Sequence, residues 1–191
     1  MQKVAVSSIK SIRKSSKKVA CVIGNNKLKQ PVTARNTAEQ LIVVIDGGHL
    51  KAKDKNSRSF EAMITAVYRP ENIRRVDKYH NEITKKTCVA SALSDHQQTI
   101  KTLSINACRK EGAEHKTTKI TCLTDGANNG WSIADALKPV CSSLTKILDW
   151  FHITKRFTVL LNVIGEDNKE RLEKIKWHLW HGDGNKAFRA D

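Results

Sequence analysis

Three acids each close a short apolar run. They are Asp46 in Leu41-Ile-Val-Val-Ile-Asp-Gly-Gly48, Asp125 in Lys119-Ile-Thr-Cys-Leu-Thr-Asp-Gly126 and Asp149 in Leu144-Thr-Lys-Ile-Leu-Asp-Trp-Phe151. Two carboxylates brought close together repel each other unless a cation sits between them. Oxygen-only ligation selects Mg²⁺ or Mn²⁺ over zinc. Two such ions roughly 3.5–4 Å apart clamp the attacking and leaving oxygens of an in-line phosphodiester displacement. Metal-assisted phosphoryl transfer is therefore the chemistry these residues suit, with Asp46 and Asp125 as the metal ligands. Gly47-Gly48 and Gly126 follow the acids directly and let the backbone turn and a nucleic-acid strand approach. One strand-Asp-Gly is a common turn start; the repeat of the pattern gives it weight.

Asp149 and His152 stand three residues apart in Asp149-Trp-Phe-His152. Two readings are open. Asp149 orients His152, with the pair serving a metal site or DNA, or Asp149 simply caps a helix and His152 is a first-turn surface residue.

The elements that must position these residues follow from pattern. The three apolar runs are rich in β-branched residues and read as buried strands. Open α/β sheets bind ligands outside the carboxyl ends of their strands, which is where the acids fall. A strand over 41–46 is followed by a polar, turn-like stretch over 47–59, a second strand over 60–68 and a third over 83–93. Ser94-Asp95 caps a helix running to about Lys110. Then come a strand over 118–124, a helix over 131–138 stopped by Pro139, a strand over 144–149, and helices over 152–164 and 167–180. The sum, β-β-β-α-β-α-β-α, predicts a mixed sheet with helices on both faces, the order of ribonuclease-H-like domains. The strands of Asp46 and Asp125 are then neighbours, although the acids are 79 residues apart.

Composition points to the partner. The 191 residues carry a formal net charge of +15 and are 39% hydrophobic, so a globular, strongly basic chain is expected. Nucleic acid suits that charge better than a membrane surface, since no basic helix with a broad aromatic face is evident. No apolar run approaches the ~18–20 residues of a membrane span, and no signal peptide is visible. Residues 1–40 hold nine Lys or Arg against the single acid Glu39. They read as a basic arm, or the remnant of an upstream domain, in which Lys14, Lys17 and Lys18 are DNA-contact candidates; a solvated tail is the competing reading. The five cysteines show no Cys-x-x-Cys spacing, which fits a reducing cytoplasm.

Three stretches taken together resemble insertion-sequence transposases of the D-D-E type, in particular the ISKra-like branch related to Mutator-type elements. They are Asp46-Gly-Gly-His-Leu-Lys51, Leu123-Thr-Asp-Gly-Ala127 with Trp131, and Leu148-Asp-Trp-Phe-His-Ile153. That family carries a first Asp on the opening strand, a second on the fourth strand, and a Cys/Asp-x-x-His signature about two dozen residues later. Here Asp149-x-x-His152 begins 24 residues after Asp125. The resemblance covers roughly 41–180. It implies a DNA transposase core acting at transposon ends with Mg²⁺ (or Mn²⁺), Asp149 and His152 supporting the site, a homo-oligomer in the full-length form, and a bacterial, nucleoid-associated cytoplasmic setting.

The family also requires a third acid, a Glu on the last helix. Glu166, Glu170 and Glu173 share one helical face, but a solvated face paired with Lys169 and Lys174 is the favoured reading of them. The expectation is a core over 41–165, a helical insertion begun at 166–191, and a third acid outside these residues, as in a truncated element. A catalytically inactive DNA-binding remnant, or a general nuclease or resolvase of the same fold, is the alternative. Lys51 is either a phosphate contact beside the metal site or an exposed loop lysine. His178 and His181, with no Cys pair nearby, do not make a tetrahedral zinc site. Trp177 and Trp180 read as an apolar helix stripe, with base stacking the other possibility.

Overall fold

A computed structural model describes residues 36–51, 59–78 and 80–189. The basic arm over 1–35, with Lys14, Lys17 and Lys18, lies outside the described residues.

Seven strands form a five-stranded mixed sheet and a separate hairpin. β1 (Gln40–Leu50), β2 (Phe60–Tyr68), β5 (Thr87–Ser91), β6 (Lys119–Thr124) and β7 (Ser143–Leu148) make the sheet, in the order β5-β2-β1-β6-β7. β1, β2 and β5 are antiparallel neighbours, whereas β6 and β7 run parallel to β1. β3 (Ile73–Arg75) and β4 (Asn81–Ile83) pair only with each other. The helices are α1 (Gln98–Lys110), α2 (Asn128–Asp135), α3 (Trp150–Ile164), α4 (Lys169–Trp180) and α5 (Gly184–Phe188). Among the described residues, no helix is long and apolar enough to cross a membrane.

The expected element order is present, with two boundary corrections that bear on the site. The strand expected over 83–93 is divided. Ile83 belongs to the small hairpin, because Thr84 donates both its N–H (2.9 Å) and its hydroxyl (3.0 Å) to the Asn72 carbonyl, and sheet pairing with β2 begins only at Thr87. The stretch after Asp46 is also not a turn. β1 runs on to Leu50, paired with β2 alone. Its parallel partner β6 stops at Thr124, where Gly126 (φ 90°) turns the chain away in a conformation that favours glycine.

The core lies on one face of the sheet. Leu41, Val43 and Ile45 of β1, Met63 and Val67 of β2, and Ile120 and Cys122 of β6 are buried against Ile100, Ala107 and Cys108 of α1 and Ile133 and Ala134 of α2. Alternation along each strand explains the selection, since every second residue faces the helices. Burying each large aliphatic side chain stabilises the fold by roughly 1.5–3 kcal/mol. α1 is positioned by Asp95, whose Oδ2 accepts the Thr99 N–H at 2.9 Å, and by a buried bond from the Ser104 hydroxyl to Thr65 Oγ1 at 2.8 Å.

Helices on both faces were expected, and the described residues do not show that. α1 and α2 both pack on the Leu41–Val43–Ile45 face. The opposite face carries one register row made of Cys88, Ala66, Val44, Leu123 and Ile147, and none of these is buried. Ile64 and Ile147, on that face, are 50% and 44% exposed. α3 contains no buried residue. Its first tryptophan, Trp150, instead meets Trp180 of α4 with ring centroids 4.9 Å apart, so α3 associates with the C-terminal helices rather than the sheet.

Candidate metal centre

The parallel pairing of β1 with β6 ends at Ile45 and Thr124, and that of β6 with β7 ends at Thr124 and Leu148. Asp46, Asp125 and Asp149 are the next residues on three adjacent strands. One register row therefore delivers all three acids to the same edge of the sheet. Asp46 follows Ile42 and Val44 in the strand alternation, so it falls on the side without packed helices, beside its β2 partner Ile64.

Local backbone hydrogen bonds fix each carboxylate. Asp46 Oδ1 accepts the Gly47 N–H at 2.8 Å. Asp125 Oδ1 accepts the Ala127 N–H at 2.9 Å and the Thr124 hydroxyl at 3.3 Å, an Asx-type turn leading into α2. Asp149 is the N-cap of α3, its Oδ1 accepting the Phe151 N–H at 3.0 Å. The Asp149 N–H in turn donates to the Thr124 carbonyl at 2.9 Å, which fastens the start of α3 to the strand end that carries Asp125.

One helical turn into α3, His152 places Nδ1 3.0 Å from Asp149 Oδ2. Asp149 thus caps the helix and holds the His152 ring at once. With one ligand atom from each, Asp46, Asp125 and His152 lie within 4.8 Å of one another. Among the described residues, no other set of three His, Cys, Asp or Glu side chains brings ligand atoms that close. The donor set, two carboxylates and one imidazole, is one that holds a divalent cation.

Other candidates from the sequence lie elsewhere. Lys51 is exposed at the end of β1. Because the chain there is strand and not loop, five residues at about 3.3 Å each carry Lys51 roughly 16 Å along from Asp46. Glu166 pairs with Lys169 at 3.4 Å and Glu173 with Lys176 at 2.5 Å, while Glu170 is exposed in the first turn of α4. None of the three glutamates joins the cluster; the expected pairing with Lys169 is present at Glu166, and Lys176 pairs with Glu173. His181 Nδ1 lies 2.8 Å from the Trp177 carbonyl, and its ring sits 4.0 Å from that of Trp177. Trp177 and Trp180 are 57% and 62% exposed, so the stripe is only partly packed.

Sequence reasoning missed the support behind Asp125. α2 starts at Asn128, three residues before its expected start, since Asn128-Asn129-Gly130 looks like a turn. Gly130 is buried there, and a Cβ on it would meet Thr124 Oγ1 at 2.1 Å. Only glycine allows α2 to approach the strand end so closely. Asn129 also donates to Glu61 Oε2 at 2.6 Å, tying α2 across to β2. A glycine inside an amphipathic stretch directly after a strand-ending acid was the available signal.

No family model, curated protein or solved structure matches the chain.

Proposed function

We propose that this chain is the ribonuclease-H-like catalytic core of a DNA transposase, performing Mg²⁺- or Mn²⁺-dependent phosphodiester cleavage and strand transfer at transposon ends. One observation carries the reading: the shared register row that sets Asp46 beside Asp125, with the Asp149-x-x-His152 signature opening the helix after the next strand. The sheet order, with three antiparallel strands followed by two parallel ones beside the first, is the order of that fold. The net charge of +15 suits a polyanionic substrate.

Asp46 and Asp125 would hold the cation. A divalent ion there supplies positive charge to the phosphoryl group during in-line displacement by water and then by a DNA 3′-hydroxyl. The chain's own part is to fix both carboxylates by backbone N–H groups, and to leave the adjoining sheet edge open to a bulky strand. The basic arm binds phosphates through counterion release, so DNA affinity falls steeply with salt.

A second reading keeps DNA binding and drops catalysis. It is favoured by the exposed, ion-paired positions of Glu166 and Glu173, which leave the acid pair without a third carboxylate among the described residues. Incubating the purified chain with supercoiled DNA carrying the element's ends separates the two. The transposase reading expects nicking with Mg²⁺ or Mn²⁺, none with chelator, and none in Asp46→Ala or Asp125→Ala. Absence of nicking together with DNA binding unchanged in both variants overturns it in favour of the second reading. Equal cleavage of DNA lacking those ends would instead mark a general nuclease.

A further inference from the structure

Asp46 and Asp125 are hard oxygen donors, and His152 adds a nitrogen donor to the same small volume. We infer that His152 is itself a metal ligand through Nε2, that Asp149 is the carboxylate that sets its tautomer, and that the resulting site takes Mn²⁺ in preference to Mg²⁺. The inference rests on the acid pair being a metal site and adds its third ligand and its metal preference.

The geometry around His152 leads to this assignment. An ionised carboxylate only accepts hydrogen bonds, so with Asp149 Oδ2 at 3.0 Å the proton sits on Nδ1. In the neutral ring Nε2 then keeps its lone pair. Metal-binding histidines characteristically donate their other N–H to a carboxylate in this way, which fixes the ring and raises its basicity. Asp149 is itself immobilised, because its Oδ1 is occupied by the Phe151 N–H at 3.0 Å. A surface histidine in a first helical turn needs no such support.

The spacing is close to what a cation requires. Two metal–ligand bonds of about 2.1 Å span at most about 4.2 Å. Three donors spaced evenly around one ion stand at most about 3.6 Å apart, and one ligand atom from each residue already lies within 4.8 Å of the others, so they need to close by roughly 1 Å. Asp46 is exposed, and only its Oδ1 is held, by the Gly47 N–H, so its Oδ2 is the oxygen offered to a shared ion. The donor set then decides the ion. Mg²⁺ dehydrates reluctantly and favours oxygen, whereas imidazole suits the first-row transition ions. Two carboxylates with one imidazole therefore discriminate in favour of Mn²⁺.

The test is a titration of the full chain with Mn²⁺, followed by loss of the free-ion EPR signal, with Mg²⁺ as competitor. Pulsed EPR of the bound ion then reads directly attached nitrogen. Wild type is expected to show nitrogen coupling and to hold Mn²⁺ at least ~10-fold more tightly than Mg²⁺. His152→Ala loses the coupling and weakens Mn²⁺ by ~10–100-fold, on the scale that perturbing metal-site partners produces. His152→Gln, which offers an amide oxygen, binds both ions but loses the preference. The side chain of His152 is 32% exposed, so neither change disturbs the core, and circular dichroism verifies this. If nitrogen coupling is absent, or survives His152→Ala, the ligand role is overturned while the acid pair stands. If Asp46→Asn and Asp125→Asn bind Mn²⁺ as wild type does, the acid-pair reading fails with it.

Discussion

Asp46 and Asp125 each follow one member of the same terminal register pair, Ile45 with Thr124, so the parallel sheet itself sets the two carboxylates side by side. Neighbouring strands lie about 4.8 Å apart, and two like charges at that spacing oppose each other. A cation held between them would relieve that stress.

That stress is measurable. In metal-free buffer, Asp125→Asn is expected to melt no lower than wild type, because it removes one of the two charges and keeps the Oδ1 that accepts the Ala127 N–H. Adding Mn²⁺ at 100 times its Kd should stabilise wild type by about 2.7 kcal/mol and leave the variant unmoved. Differential scanning calorimetry with and without the ion checks both halves. A variant that melts lower without metal, or gains as much with it, speaks against the stressed pair.

The support behind Asp125 gives a steric prediction. Gly130→Ala adds a methyl 2.1 Å from Thr124 Oγ1 and 3.2 Å from Thr124 Cβ, both on a buried side chain. The alanine gains roughly 1 kcal/mol of helix propensity, but the overlap costs about 1–3 kcal/mol and is expected to win. Thr124→Ala in the same chain removes the closest atom and leaves the second, so it should recover part of the loss. Urea unfolding of the single and double variants tests the coupling; strict additivity would show that the contact is not the cause.

How far the residues announced this arrangement depends on the range of the interaction. The three acid-terminated runs were legible because β-branched alternation is local, and the order of elements followed from it. The Asp149–His152 pairing was legible because three residues span one helical turn. What was not legible required a partner distant in the chain. Asp46 looks like a strand end, yet β2 continues to pair with β1 as far as Leu50 and Phe60. α3 looks like a cover for the sheet, yet Trp150 meets Trp180. In both cases a contact made elsewhere overrode the local pattern.

The sheet face that the described residues leave uncovered separates exposed from buried aliphatics that look alike in sequence. Ile147→Thr keeps a β-branched residue at a 44% exposed position and should change stability by less than ~0.5 kcal/mol. Ile120→Ala empties a 1% exposed position in the packed face and should cost about 2–5 kcal/mol. Chemical denaturation of the two variants decides whether one face or both are packed; a large loss at Ile147 would reveal a cover over it.

Thiol chemistry reports the same core. Burial pushes the Cys122 thiol up to about 12 and raises Cys108 and Cys141 as well, whereas Cys88 is exposed. Among the described residues, native protein at pH 8 should therefore be alkylated by iodoacetamide at Cys88 and spared at Cys108, Cys122 and Cys141 until denaturant is added. A thiol whose folded value is raised stabilises fully below the unfolded value, near 8.5, and loses that contribution as pH rises towards the folded one. For Cys122 the slope is about 1.4 kcal/mol per pH unit between roughly 8.5 and 12. Unfolding free energies at pH 8 and pH 10 that coincide would place these thiols in water.

Asp149 performs two tasks with two oxygens, and substitution can separate them. Asp149→Ala removes the cap from α3 and the partner of His152, so it should lose about 0.5–2 kcal/mol of stability and ~10–100-fold in Mn²⁺ affinity. Asp149→Ser keeps a hydroxyl able to accept the Phe151 N–H, and it should retain most of the stability. Its single oxygen cannot also hold His152 Nδ1, now bound at 3.0 Å, so the Mn²⁺ affinity should fall as far as in the alanine variant. Stability rescued without affinity identifies the carboxylate as a positioning group for the imidazole. Affinity rescued along with stability would mean that the cap alone orders this corner, since helix α3 carries His152 to the metal side wherever its first turn is fixed.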